Sequence, residues 1–230
     1  MPELGNDTIS VVFFADKGLK RSQQMFADLN KHAVKPTTSL GILYDHRDAY
    51  STFIVRLANE VEIFRDRVEL EKTSISNRST KFFTLSGISE ATKHLLSNNT
   101  KMISEEQEKF VIEFWNETAR NIPEWNLLLE KKVSAGELRK NFVHSHSNLL
   151  STLGIIGAFL LKNYPNEWKE KLKGLRKIGW SRNDKMWEGR LVIDGKMLKT
   201  NIGMELAANA ILNSLEIPLD EERRRFEKNG

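Results

Sequence analysis

Eight cations crowd one short segment of the chain: Lys169, Lys171, Lys173, Arg176, Lys177, Arg182, Lys185 and Arg190, opposed only by Glu170, Asp184 and Glu188. The whole chain carries a net charge of +4, so the excess of five here leaves the remainder slightly acidic. Basic charge confined to one stretch suits a polyanionic partner, and the chemistry it suggests is neutralisation of successive phosphates. Trp180 and Trp187 interrupt the segment, and an indole at either position is suited to stacking on a sugar or base. These ten residues form the candidate DNA-binding set. The competing reading makes both tryptophans core residues and the lysines a solubilising face.

Two further stretches have phosphate-binding chemistry. The loop from Glu71 to Lys81 interleaves hydroxyls with Lys72, Arg78 and Lys81, a composition that suits phosphate oxygens. The same residues equally suit a helix start, with Ser79 or Thr80 capping a helix from Lys81 to Ser97. Nearer the start, the apolar run Ile9–Phe14 reads as a buried strand broken at Gly18, and the spacing of Met25, Phe26, Leu29 and Ala33 predicts a helix from about Leu19 to Lys31. Lys20 and Arg21 fall in its first turn, where free backbone N–H groups favour an anion. No GxxxxGK[ST] or GxGxxG accompanies them.

Neither a catalytic nor a metal-binding set emerges. His46, flanked by Asp45 and Asp48, fits local turn hydrogen bonds better than a ligand set. His144 and His146 share a face on a strand but lie 200° apart on a helix, and no HExxH is present. The chain has no cysteine, which excludes disulfides, thiol catalysis and cysteine-ligated metals and fits a reducing cytoplasm. Its longest greasy stretch, Leu149–Leu161, is too short to span a bilayer, so no membrane partner is expected.

The elements that must position these groups are mostly helices. Asp48 caps a helix from about Ala49 to Arg65 with Phe53, Leu57, Val61 and Phe64 inward. Asn98–Thr100 marks an internal boundary between residues 1–99 and 100–230. Ser104 and Gln107 form a capping box for a helix to about Asn121, stopped by Pro123. Glu124–Lys132 is a short amphipathic piece, Ala135-Gly136 breaks the chain, and a helix from Glu137 follows. Leu149–Asn163 lacks a polar face and predicts a buried central helix in which Gly154 and Gly157 admit a close neighbour. Pro165–Arg176 reads as a helix packed through Trp168, Leu172 and Leu175. Asp194-Gly195 predicts a hairpin within about 186–199. Thr200 or Asn201 caps a last core helix through Leu215, and the DEERRR run reads as a solvated helical tip.

The block FFADKGLKRSQQMFADLNKHAVKPTTSLGILYDHRD resembles the second conserved block of the DndB family, the DGQHR-domain proteins of DNA phosphorothioate-modification clusters. Further blocks agree in order: Lys72–Ser79, Lys81–Leu85, Ile178–Arg182 and Trp187–Arg190. The Asp-Gly-Gln-His-Arg motif itself is absent and would belong upstream of Met1, so the chain resembles the C-terminal portion of the family. The resemblance implies a DNA-binding, repressor-like regulator of a modification gene cluster, without chemistry of its own, acting on double-stranded promoter DNA. It further implies kinship with ParB-like nucleotide pockets. In that alternative Asp16, Arg21, Gln23, Gln24 and Asn30, with Lys20, form one wall, Arg78 and Lys81 meet phosphate, and a nucleotide with magnesium binds only the full-length protein. A homodimer or a scaffold docking other modification proteins is the third reading.

The expected fold is therefore α+β and predominantly helical: a small strand-containing N-terminal lobe, then a helical lobe with one hairpin, in a cytoplasmic protein.

Overall fold

Caps set most of the helix starts in the computed structural model, which describes residues 35–76 and 78–229. The strand expected at Ile9–Phe14, the helix from Leu19, and Asp16, Lys20, Arg21, Gln23, Gln24 and Asn30 lie outside the described residues. Thr37 accepts from Leu40 N and opens α1 (Thr38–Tyr44). Asp48 accepts from Ser51 N at 2.9 Å and opens α2 (Ala49–Glu60). That helix ends earlier than its apolar spacing predicts, yet Val61 and Phe64 are still buried from the turn that follows it.

Helix α3 (Leu85–Leu95) begins at a Thr84 cap, not at Ser79 or Thr80. The reason is tertiary. Residues Phe83–Thr84 form β2, which pairs in parallel with β1 (Val68–Glu69), placing Val68 beside Phe83. Phe82 and Phe83 are both buried, and Phe83 meets Phe64 and Trp125 edge-on at 5.4 and 5.3 Å between ring centroids. Aromatic burial thus holds the chain extended where local propensity permits a helix.

The capping box of Ser104 and Gln107 opens α4 (Glu105–Arg120) as expected. Pro123 does not merely stop it. Proline has no N–H to lose in a first turn, and it starts α5 (Pro123–Leu129). Ser134 and Glu137 form a second capping box for α6 (Ala135–Asn141), so Gly136 lies inside a helical first turn rather than at a break. A single 3₁₀ turn, Val143–Ser145, then leads into α7 (Ser147–Asn163).

Helix α7 is the buried centre. A Cβ on Gly154 would stand 2.1 Å from the Ala91 carbonyl of α3, and one on Gly157 would strike Leu95 and Phe114. These two glycines let α3 lie directly against α7, so the core runs across residues 98–100. From Thr37 onward the chain forms one compact unit.

The basic segment is less regular than its spacing predicts. It forms a short α8 (Trp168–Leu172) and continues as a 3₁₀ turn, Lys173–Lys177. Gly174 sits so close to Leu215 that a Cβ would approach its Cδ2 to 2.5 Å, and this contact accompanies the tightened turn. The hairpin is present: β3 (Val192–Ile193) pairs antiparallel with β4 (Lys196–Met197), with Asp194 and Gly195 both at positive φ, as a type I′ turn requires. Thr200 caps α9 (Asn201–Ser214). The last helix, α10 (Glu221–Asn229), is not simply solvated. Arg223 donates to Asn209 Oδ1 at 2.9 Å and lies over the Phe159 ring, and Glu227 pairs with Arg190.

The fold is predominantly helical α+β, with two sheets of two strands each among the described residues. Among the described residues no helix is long and apolar enough to cross a membrane.

Candidate functional site

A cleft of about 900 Å³ opens between the N-terminal ends of α3 and α7 and the body of α6. Each wall comes from a locally determined element. Thr84, already spent as the cap of α3, forms part of one side; Ser145, His146 and Ser147, at the start of α7, form another. The third comes from α6 through Gly136, Arg139 and Lys140, and Arg182 reaches in from the basic segment. Phe82, Phe83 and Leu150 supply an apolar floor.

The two guanidinium groups of this cleft are recessed and fixed. Arg139 is only 8% exposed and donates to the carbonyls of Ser76, Ser79 and Lys81, clamping the hydroxyl-rich loop. Arg182 Nη2 donates to the Arg139 carbonyl at 2.8 Å and lies 2.7 Å from His146 Nε2. His146 Nε2 also lies 3.2 Å from the Arg139 carbonyl; because a guanidinium can only donate, its shorter contact with Nε2 requires the neutral ring with its proton on Nδ1. Burial and the neighbouring Arg182 push His146 down to about 4, so the ring is neutral near pH 7. Desolvation also lowers Arg139 and Arg182, but a guanidinium stays charged. The one carboxylate among the lining residues is Glu137. Its hydrogen bonds to the Ser134 backbone and hydroxyl hold it below the usual range and occupy it in the α6 capping box.

Two polar features adjoin this space. Helix α7 is 17 residues long, and no side chain caps its N-terminus. Arg182 Nε is buried without a hydrogen-bond partner among the described residues.

His144 takes no part. Its Nδ1 accepts from Trp125 Nε1 at 3.0 Å, its ring stacks on Phe142, and burial lowers its basicity. No group of three or more metal-ligating side chains converges among the described residues.

The candidate DNA-binding residues divide into three groups. Lys169, Lys173, Arg176, Lys177 and Lys185 are exposed, and Lys171 is half-buried with its ammonium 5.0 Å from the centre of the Tyr164 ring. Lys169 pairs with Glu113, Lys173 with Glu170, and Arg176 donates to Asn121 Oδ1 at 2.7 Å. Arg182 and Arg190 are drawn inward, the first to the cleft and the second to Glu227 at 2.9 Å. Trp180 and Trp187 are core residues, 2% and 0% exposed, stacked on each other at 5.6 Å and 16°, with their N–H groups given to the carbonyls of Leu175 and Gly179. In this arrangement neither presents a face to a base, which corrects the stacking expectation.

The loop residues separate as well. Lys81 turns away from the cleft to the Asp66 carbonyl, and Arg78 lines a neighbouring hollow with Arg67 and Lys131. Sequence reasoning missed Arg139 and His146 as partners of Arg182, and Lys140 as a further cation lining the same cleft. The Ser134–Glu137 capping box could have announced the helix carrying Arg139, but nothing local indicates what it faces.

Comparison with known proteins decides the family. A family model described as DndB, DNA-sulfur modification-associated, matches residues 1–218. The chain belongs to the DndB family. No curated protein and no solved structure matches it. In this DndB-family chain the matched region contains every cleft residue and the whole basic segment, and it ends before α10. The family is associated with DNA-sulfur modification.

Proposed function

We propose that this DndB-family chain is a regulatory protein that binds double-stranded DNA in the promoter region of a DNA-sulfur modification gene cluster. The observation that carries the reading is the division of the basic segment into two sides. Trp168, Leu172, Leu175, Trp180 and Trp187 are buried, while Lys169, Lys173, Arg176, Lys177 and Lys185 face solvent. A packed inner side fixes the outer cations in place, and fixed cations along one surface suit a phosphate backbone. The pairs of Lys169 and Lys173 with Glu113 and Glu170 are solvent-exposed, so they cost little to exchange for phosphate.

Binding to a promoter duplex and a scrambled duplex, measured by fluorescence anisotropy across a salt series, tests this reading. Wild type is expected to prefer the promoter, and its affinity to fall steeply as salt rises. A Lys169→Glu, Lys173→Glu, Lys177→Glu variant is expected to lose binding to both duplexes. Wild type that ignores both duplexes at low salt overturns the reading.

A further inference from the structure

We propose that the cleft between α3, α6 and α7 is a binding site for a phosphorylated small molecule of about mononucleotide size, with its phosphate at the Arg182–Ser147 end. The inference does not depend on the DNA-binding reading, and Arg182 is the one residue of the candidate DNA-binding set that it uses.

Three observations support it together. Arg182 lines the cleft, held there by the Arg139 carbonyl and His146, so a fixed guanidinium charge stands at its wall. The uncapped N-terminus of α7 brings backbone N–H groups and the Ser147 hydroxyl to the same space. Lys140 is exposed, and the only lining carboxylate among the described residues is already engaged with Ser134. A dianion satisfies all of these groups at once.

The rest of the cleft selects the body of the ligand. A volume of about 900 Å³ is far more than inorganic phosphate fills and lies within the range of small-molecule sites. Phe82, Phe83, Ile75 and Leu150 give it an apolar wall suited to a flat or greasy group. Duplex DNA is the wrong shape. Arg139 is 8% exposed and Arg182 half-buried, so a backbone phosphate on a rigid duplex would meet Lys140 and stop at the rim. His146 completes the design as a neutral acceptor that orients Arg182 without adding charge.

Isothermal titration with the 5′-monophosphates of the four ribonucleosides, inorganic phosphate, adenosine and sodium chloride of matched ionic strength provides the test. At least one nucleotide is expected to bind about tenfold or more tightly than inorganic phosphate, and adenosine to bind far more weakly than AMP. Arg182→Ala is expected to weaken nucleotide binding by about tenfold or more. Because that change also releases Arg139 and His146, Ser147→Asp is the decisive variant. A carboxylate in the first turn of α7 favours the helix, so the protein stays folded while the anion is repelled. The lysine-to-glutamate triple variant of the basic segment is expected to bind nucleotides like wild type. The proposal is overturned if no monophosphate binds more tightly than inorganic phosphate, or if a folded Ser147→Asp protein binds as well as wild type.

Discussion

Arg182 donates to the ring of His146 across 2.7 Å, joining two segments 36 residues apart in the chain. The bond exists only while the imidazole is neutral, and this makes the fold sensitive to acid. His146 titrates near 4 when folded and near 6.5 when unfolded. Above 6.5 the ring is neutral in both states and contributes nothing. Between 6.5 and 4 the unfolded chain takes up the proton and the folded one does not, so stability falls as pH falls through that window. The groups facing His146 are Arg182, Arg139 and His144, all of which disfavour a positive ring through charge except for the Arg139 carbonyl, which favours it. The loss is expected to reach about 2–3 kcal/mol by pH 4. Urea denaturation at a series of pH values checks it; His146→Gln should flatten the dependence, leaving the part that comes from the buried His144, which burial shifts in the same direction.

Arg139 holds the loop of residues 76–81 through three carbonyls. Replacing it with Met keeps the packing volume and removes the donors, leaving three carbonyls of the loop without them. The expected cost is about 2–4 kcal/mol. Limited trypsin digestion should show faster cleavage after Arg78 and Lys81 than in wild type; an unchanged pattern would mean that the loop is held by something else.

Gly154 sits where α7 touches the Ala91 carbonyl. On an exposed helix, Gly to Ala stabilises by about 1 kcal/mol. Here the added Cβ meets a backbone oxygen that cannot rotate away, so Gly154→Ala is expected to destabilise by about 1–3 kcal/mol. Chemical denaturation settles the sign.

Trp187 acts through the core, giving its indole N–H to the Gly179 carbonyl at 2.8 Å. Trp187→Phe loses that bond and some volume, at an expected cost of about 1–3 kcal/mol. Duplex affinity of the folded variant, measured below its melting range, should remain within about twofold of wild type, because a buried ring supplies no stacking face. A large affinity loss with an unchanged melting temperature would contradict this role.

What the sequence made legible was local. The caps at Asp48, Ser104 and Thr200 and the Asp194-Gly195 turn each depend on groups a few residues apart, and each stands as expected. The uninterrupted apolar character of α7 likewise announced a buried helix. Errors arose where distant partners decide. Ser79 and Thr80 suit a helix cap, but Val68 pairs with Phe83 and keeps Phe83–Thr84 extended. Residues 173–177 follow a helical pattern, but the close pass of Leu215 by Gly174 accompanies a 3₁₀ turn. The cleft was the least legible feature. Arg182 meets Arg139 because Arg182 N donates to the Asn141 carbonyl and Val143 N to the Trp180 carbonyl, a junction that no local pattern encodes.

The stacked pair of Trp180 and Trp187 has an optical consequence. Two indoles 5.6 Å apart and nearly parallel couple their transition dipoles, while Trp115, Trp125 and Trp168 are separately packed. Arg182 lines the cleft two residues beyond Trp180, so a ligand there is expected to be felt by this pair before the other tryptophans. Near-ultraviolet circular dichroism can therefore follow occupancy of the cleft in unlabelled protein, using a chromophore pair already built into the chain.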